Sequence, residues 1–376
     1  MNVVKPKHLY VIGNGFDRYH GAQSSYWDFR QYMLRRNPIV VAHFDVFFGP
    51  NTLCNTFKSP EGWIDAIDDR SARWYYGKSY PKPKWSEGHL WCSFEAYLAE
   101  LNREKVLDYI DMNLPPINLD DKDFSMADYY LPIDRTKDMI RDCTFEMRFL
   151  LHKWVNTLHF AKGWKNRKLD LAPEALYLTF NYTTFLEDLY EVPAEQVFHI
   201  HGSRKDKYGS LIIGHGMGEN VVFERWKHKC ETQKRFRPNL KGRNGHWFAN
   251  DRLPFLTYFL QDELKGNWRT DTRYYALQEA VEMIEQYYAT NRKQTEDVIN
   301  KFSNLWQSLD DVQRVTVIGH SLSNIDMPYF EQMANGLKKQ GVEWEFSVHD
   351  KKDRERVSHF CRKMKVSKDS WTTFQL

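Results

Sequence analysis

A chain of 376 residues with 42% hydrophobic and 27% charged side chains can bury a sizeable core, which excludes intrinsic disorder. Its 53 basic and 50 acidic residues leave a formal charge of +3, too small for a whole surface devoted to nucleic acid, so any basic patch is local. Five scattered cysteines without a CxxC pair argue against a disulfide framework or a structural zinc site. Residues 1–10 hold no apolar signal-peptide core, and no stretch reaches the ~18 apolar residues of a membrane helix, so a cytoplasmic protein away from the membrane is expected.

Six short apolar runs end in small or polar residues, as buried parallel strands do when they deliver loops to one edge of a sheet. In chain order they are residues 8–13 (HLYVIG), 176–181 (LYLTFN), 197–201 (VFHIH), 211–214 (LIIG), 314–319 (RVTVIG) and 344–349 (WEFSVH). Helical patterns over 94–110, 136–160 and 274–309 alternate with them. The pattern predicts an α/β fold: a Rossmann-like, mostly parallel sheet with helices on both faces, as one domain over 1–376. The first two strands lie too far apart for a simple βαβ unit, so 24–168 is expected to be a mainly helical and loop insertion. A second insertion, 217–308, is basic at its start and helical in its latter half.

Gly13, Asn14, Gly15, Phe16 and Asp17 follow the first strand and enter a helix. Glycines there allow a tight turn and a close backbone approach to a ligand such as a pyrophosphate, although a tight turn without a ligand needs them equally. Asn181 ends the second run, where it either points at a ligand or caps the next helix. His199 and His201 end the third, on one face by strand period. No third ligand lies near, so no metal is expected, and His201 beside Gly202 is the candidate for proton transfer with His199 structural. Gly319 and Ser321 follow the strand at 314–319 and are suited to ribose or phosphate contact. The likeness of GHSLS to a hydrolase elbow fails at Ser323.

The order GNGFD, FNYT, HIHG, GHSLSNIDMPYF, with YVIGNGFDRYHG at 10–21 and Trp91 with Glu95, resembles the AbiH-type bacteriophage abortive-infection family. That family looks like a distant branch of the sirtuin-like fold. The resemblance implies an anti-phage effector that binds NAD and hydrolyses it to nicotinamide and ADP-ribose. Asn181 and His201 would be catalytic, with Gly13, Asn14, Gly15, Phe16, Asp17, Gly319 and Ser321 binding the cofactor. Thr183 stands where the sirtuin pattern has Asp, and the zinc-binding CxxC pairs are absent, which argues against deacetylation. Two alternatives remain: a non-catalytic nucleotide sensor, and a nucleic-acid effector using residues 225–246, where eight Lys and Arg lie among aromatics. A charge run is more often a solvated loop, so nucleic acid is not favoured. The inserted helices are candidates for homo-oligomerisation and for sensing a phage-derived trigger.

Overall fold

The computed structural model describes residues 6–48, 94–99, 127–207, 211–216, 268–338 and 341–376, together with 101, 106, 110 and 125. Strand β1 (His8–Ile12) leads into helices α1 (Asn14–Tyr19), α2 (Tyr26–Arg36) and α3 (Pro38–Phe47). Next come α4 (Phe94–Tyr97), α5 (Ala127–Arg141) and α6 (Met147–Val155), the last two joined by a π-helical turn at Asp142–Glu146. β2 (Leu176–Thr179), α7 (Phe185–Tyr190) and β3 (Val197–His199) follow. After these lie α8 (Trp268–Asn291), α9 (Thr295–Lys301), α10 (Ser303–Gln307), β4 (Arg314–Ile318), α11 (Met327–Gly336), β5 (Glu343–Val348), α12 (Lys351–Lys363) and β6 (Trp371–Gln375).

Local chemistry sets several boundaries. Ser25 begins α2 with a capping box: its hydroxyl accepts from Asp28 N at 3.2 Å, and its backbone N–H donates to the Asp28 carboxylate at 3.0 Å. Pro38 starts α3, where its missing N–H costs nothing. Asp350 caps α12 by accepting from Asp353 N at 2.8 Å.

The six strands among the described residues are all parallel, in the order β3-β2-β1-β4-β5-β6, as expected of an α/β sheet. The order reverses between β1 and β4. Alternate strand residues bury against opposite layers. Leu9, Val11, Leu178, Val315, Val317 and Phe346 pack with Trp306, Phe330 and Phe360 on one face. Tyr10, Ile12, Tyr177 and Ile318 pack with Phe16, Phe185 and Leu189 on the other. Helices between the strands supply a third core in which Phe29, Met33, Phe44, Phe94, Leu151 and Tyr288 meet.

Several expected elements differ. Residues 211–214 form no strand. Ile212 N donates to the His201 carbonyl at 2.8 Å and Tyr182 Oη donates to the Ile212 carbonyl at 2.9 Å, so this segment bonds to a turn and a side chain, not to a ladder. The sixth strand is instead β6, whose Thr372, Thr373 and Gln375 suit a half-exposed edge. The helix expected over 274–309 starts earlier and breaks at 292–294. The one expected over 136–160 starts at Ala127, carries Pro132 within it and ends at Val155. Of the pattern at 94–110, the continuous described helix is Phe94–Tyr97. Among the described residues no helix is long and apolar enough to cross a membrane.

Candidate functional site

The reversal of strand order brings the turns after β1 and β4 into contact. Gly13 N donates to Ile318 O at 2.9 Å and Gly15 N to Gly319 O at 2.7 Å. A Cβ on Gly13 would lie 2.5 Å from His320 Cα, and one on Gly15 2.5 Å from Gly319 Cα. Gly319 has φ +65° and its Cβ would meet Phe16 N at 2.3 Å. These glycines therefore let two backbones cross at van der Waals distance. Gly319→Ala adds a clash with main chain to a left-handed φ and should lower stability by more than about 2 kcal/mol. A urea midpoint within error of the parent would contradict this.

Below the first turn, Asp17 is buried and accepts from Asn181 Nδ2 at 2.8 Å and Thr183 Oγ1 at 2.6 Å. Asn181 Nδ2 also donates to Gly13 O at 3.1 Å, so the asparagine ties the β2 end to the β1 turn. Burial pushes the Asp17 carboxyl up to about 7, although these hydrogen bonds oppose the shift. The folded chain thus holds this proton more tightly than an unfolded one. The associated stability is fully present below the ordinary aspartate value of 3.8 and is lost as pH rises towards 7. Asp17→Asn removes the loss. Its stability relative to the parent should rise by on the order of 2 kcal/mol between about pH 4.5 and 7.5. A difference that is flat with pH, in paired denaturant titrations, would refute the buried carboxyl.

A second cluster lies beyond the ends of β3 and β4. The break after α8 delivers Lys293, whose side chain is 0% exposed. Its Nζ donates to both Glu95 carboxylate oxygens at 3.1 Å and to Asp326 Oδ1 at 3.0 Å. Burial alone would lower the Lys293 pKa, but Asp326 and Glu95 outweigh it and hold the ammonium above the ordinary lysine value. Burial would likewise raise Asp326, but Lys293, His201 and His320 keep it below the usual carboxylate range. Burial raises Glu95 despite Lys293. Two histidines face the same aspartate: His201 Nε2 lies 3.8 Å from Oδ1 and His320 Nε2 3.5 Å from Oδ2. His320 Nδ1 accepts from Leu322 N at 2.9 Å, so its neutral ring carries the proton on Nε2, towards the carboxylate.

His201 is 4% exposed, and burial, reinforced by Lys293 and opposed by Asp326, lowers its pKa well below 6.5. It is a neutral imidazole at physiological pH. Its Nε2 has no hydrogen-bond partner. Tyr329 packs against it with ring centroids 5.6 Å apart. A neutral base with an open lone pair beside a fixed carboxylate can accept a proton, and the carboxylate stabilises the imidazolium that results.

The family described as bacteriophage abortive infection AbiH matches residues 9–348. The chain belongs to this family. Membership places it with abortive-infection proteins of anti-phage defence, and no curated protein and no solved structure matches it.

In this AbiH chain the expected site residues divide into groups. Gly13, Gly15 and Gly319 meet at the crossing of the two turns, with Asn181 and Asp17 bonded beneath them. Asn181 does not cap α7, whose N-cap is Thr184. Asn14 is exposed and donates to the Ser24 carbonyl at 2.8 Å, while Ser321 is exposed on the loop after β4. Phe16 is turned into the core against His20 and Tyr190. His199 and His201 do not share partners as strand period suggested. β3 ends at His199 and the chain turns, so His199 bonds Glu187 at 3.1 Å and Asn181 O at 3.2 Å while His201 faces Asp326. Among the described residues no group of three or more His, Cys, Asp or Glu side chains is placed to hold a metal. The basic run at 225–246 and Trp91 lie outside the described residues.

Sequence reasoning missed Lys293, the acid–base environment of Glu95, and the approach of His320 and Tyr329. Asp326 stands at the N-cap position of α11, but its side chain bonds Lys293 and makes no cap. Lys293 lies inside the single helical pattern read over 274–309, which gives no signal for it, and nothing in the spacing pairs it with Glu95.

Proposed function

We propose that the protein is an anti-phage effector that binds NAD and hydrolyses it to nicotinamide and ADP-ribose. The observation that carries this reading is the neutral His201, with an unpartnered Nε2 beside Asp326, at the carboxyl edge of a sheet whose strand order is that of dinucleotide-binding folds. Sheets of this kind take their ligands beyond the carboxyl strand ends near a reversal of strand order, which here falls between β1 and β4. A sirtuin-like use of this sheet in the cytoplasm, as one domain with two insertions, fits the same reading.

NAD carries a cationic nicotinamide that departs neutral, so cleavage of its glycosidic bond needs no general acid. Water adds to the anomeric carbon as the C–N bond breaks, nicotinamide keeps the bonding pair, and the proton lost by water passes to His201 Nε2. Asp326 stabilises the imidazolium until the proton reaches solvent. Purified protein should release nicotinamide from NAD, on its own or after addition of phage lysate as a source of trigger. Silence under both conditions removes hydrolysis.

One observation favours a second reading, nucleotide sensing without turnover. The Asn181 amide is already engaged by Gly13 O and Asp17, which suits a structural tie better than a group awaiting substrate. Calorimetric NAD binding without nicotinamide release would select it.

A further inference from the structure

Among the described residues the sheet ends in two edge strands, which differ in protection. β3 is three residues long, and its last residue, His199, is bonded to Glu187 and to the Asn181 carbonyl. So short an edge gives a partner little to pair with. β6 is five residues long, and among the described residues β5 is its one neighbour. Residues 371–376 (WTTFQL) contain no charge, proline or glycine. Thr372 and Gln375 are exposed, and Trp371, Thr373 and Phe374 are half-buried. The pairing with β5 runs without a bulge from Trp371 to Gln375. Lysine, proline and bulges are the usual guards of an exposed edge, and β6 has none of them.

Backbone groups along a strand point alternately to its two sides. Leu376 N donates inwards to Val348 O at 3.3 Å, so Phe374 and Thr372 also direct their N–H and C=O at β5. Trp371, Thr373 and Gln375 therefore direct theirs outwards. This set is symmetric about Thr373, so the same strand reversed satisfies every member of it.

We infer that β6 is a dimerisation edge, at which a second copy of this chain adds its own β6 antiparallel about a two-fold axis at Thr373. In that register Thr373 meets Thr373 of the second copy and Trp371 meets its Gln375, each pair exchanging both backbone hydrogen bonds. Thr372 meets Phe374 of the second copy between them, and both Thr–Thr and aromatic–β-branched pairs are favourable across strands. Lys368 and Asp369 precede the paired residues, so no like charges meet. The interface uses the same edge of both copies and closes on itself, as a two-fold contact must. Antiparallel pairing points the carboxyl ends of the two sheets in opposite directions. Each copy keeps its own site, and the dimer is independent of what that site binds.

Sedimentation of the parent over roughly 1–100 µM should show one chain passing to two, because an edge contact is smaller than a standard interface. Thr373→Lys sets like charges face to face and should raise the dissociation constant roughly fivefold or more, with circular dichroism confirming the fold. Thr373→Cys tests the register without a charge. Residues that exchange both bonds have Cα atoms about 5.5 Å apart, within reach of a disulfide. Under mild oxidation this variant should cross-link into two-chain species above the background of the parent's own thiols, whereas Thr372→Cys, which faces Phe374, should stay near that background. A parent that remains one chain leaves the edge to a strand of another protein and overturns the dimer. A dimer unchanged by Thr373→Lys, or equal cross-linking of the two cysteine variants, overturns it as well.

Discussion

Replacing Lys293 by Met should destabilise the protein by roughly 3–5 kcal/mol near pH 7, the largest stability loss expected of any change described above. The aliphatic stem is kept, so the effect is that of removing one buried cation. Asp326 and Glu95, which Lys293 Nζ holds within 3.1 Å, would then face each other in a desolvated site without a positive charge between them. Both carboxyls would favour their protonated forms, so the loss should shrink as pH falls towards about 5. A second change, Glu95→Gln, should recover part of the loss in the double variant because it removes one of the stranded charges. Denaturant unfolding at two pH values measures all of this. A loss under about 1 kcal/mol would mean that water compensates these charges and that the cluster is not the ionic lock between α8 and the loop after β4.

His201→Ala should reduce nicotinamide release by about 100- to 10,000-fold, the usual span for loss of a general base. The ring makes edge contacts with Phe180 and Tyr329, so the variant also loses packing and its fold must be checked by circular dichroism. His201→Gln keeps more of the volume and separates the two effects: it should remain folded and be as inactive as His201→Ala. A folded His201→Gln protein with parental turnover would remove His201 from the chemistry. The pH profile adds an independent readout. A neutral imidazole with a pKa well below 6.5 keeps the base available throughout the neutral range, so activity should stay level through neutral pH and fall only in acid.

The sheet was legible because β1, β2, β4 and β5 are short apolar runs ending at the residues that turn the chain. A buried parallel strand has no polar face to obscure its pattern. Residues 211–214 looked the same and form no strand, since LIIG is buried beside His201 by contacts that no local pattern encodes. β6 escaped for the opposite reason: as an edge strand it carries Thr372, Thr373 and Gln375 among five residues and reads as surface. The site was half legible. Glycines and polar groups at strand ends announce themselves through position, which brought out Gly13, Asn181, His201 and Gly319. Lys293 and Glu95 lie 198 residues apart in the chain, and their pairing is a product of tertiary packing alone.

The strand made first occupies the middle of the sheet, and this sets when the candidate site can be assembled. β1 pairs on one side with β2 and on the other with β4, where His8 meets Arg314. A growing chain can assemble β1, β2 and β3, yet Gly15 has no Gly319 to close against, and His201 has no Asp326, until almost the whole chain has left the ribosome. A product truncated before β4 therefore lacks both pairings. The connectivity thus acts as a clock: the site stays unassembled in unfinished copies.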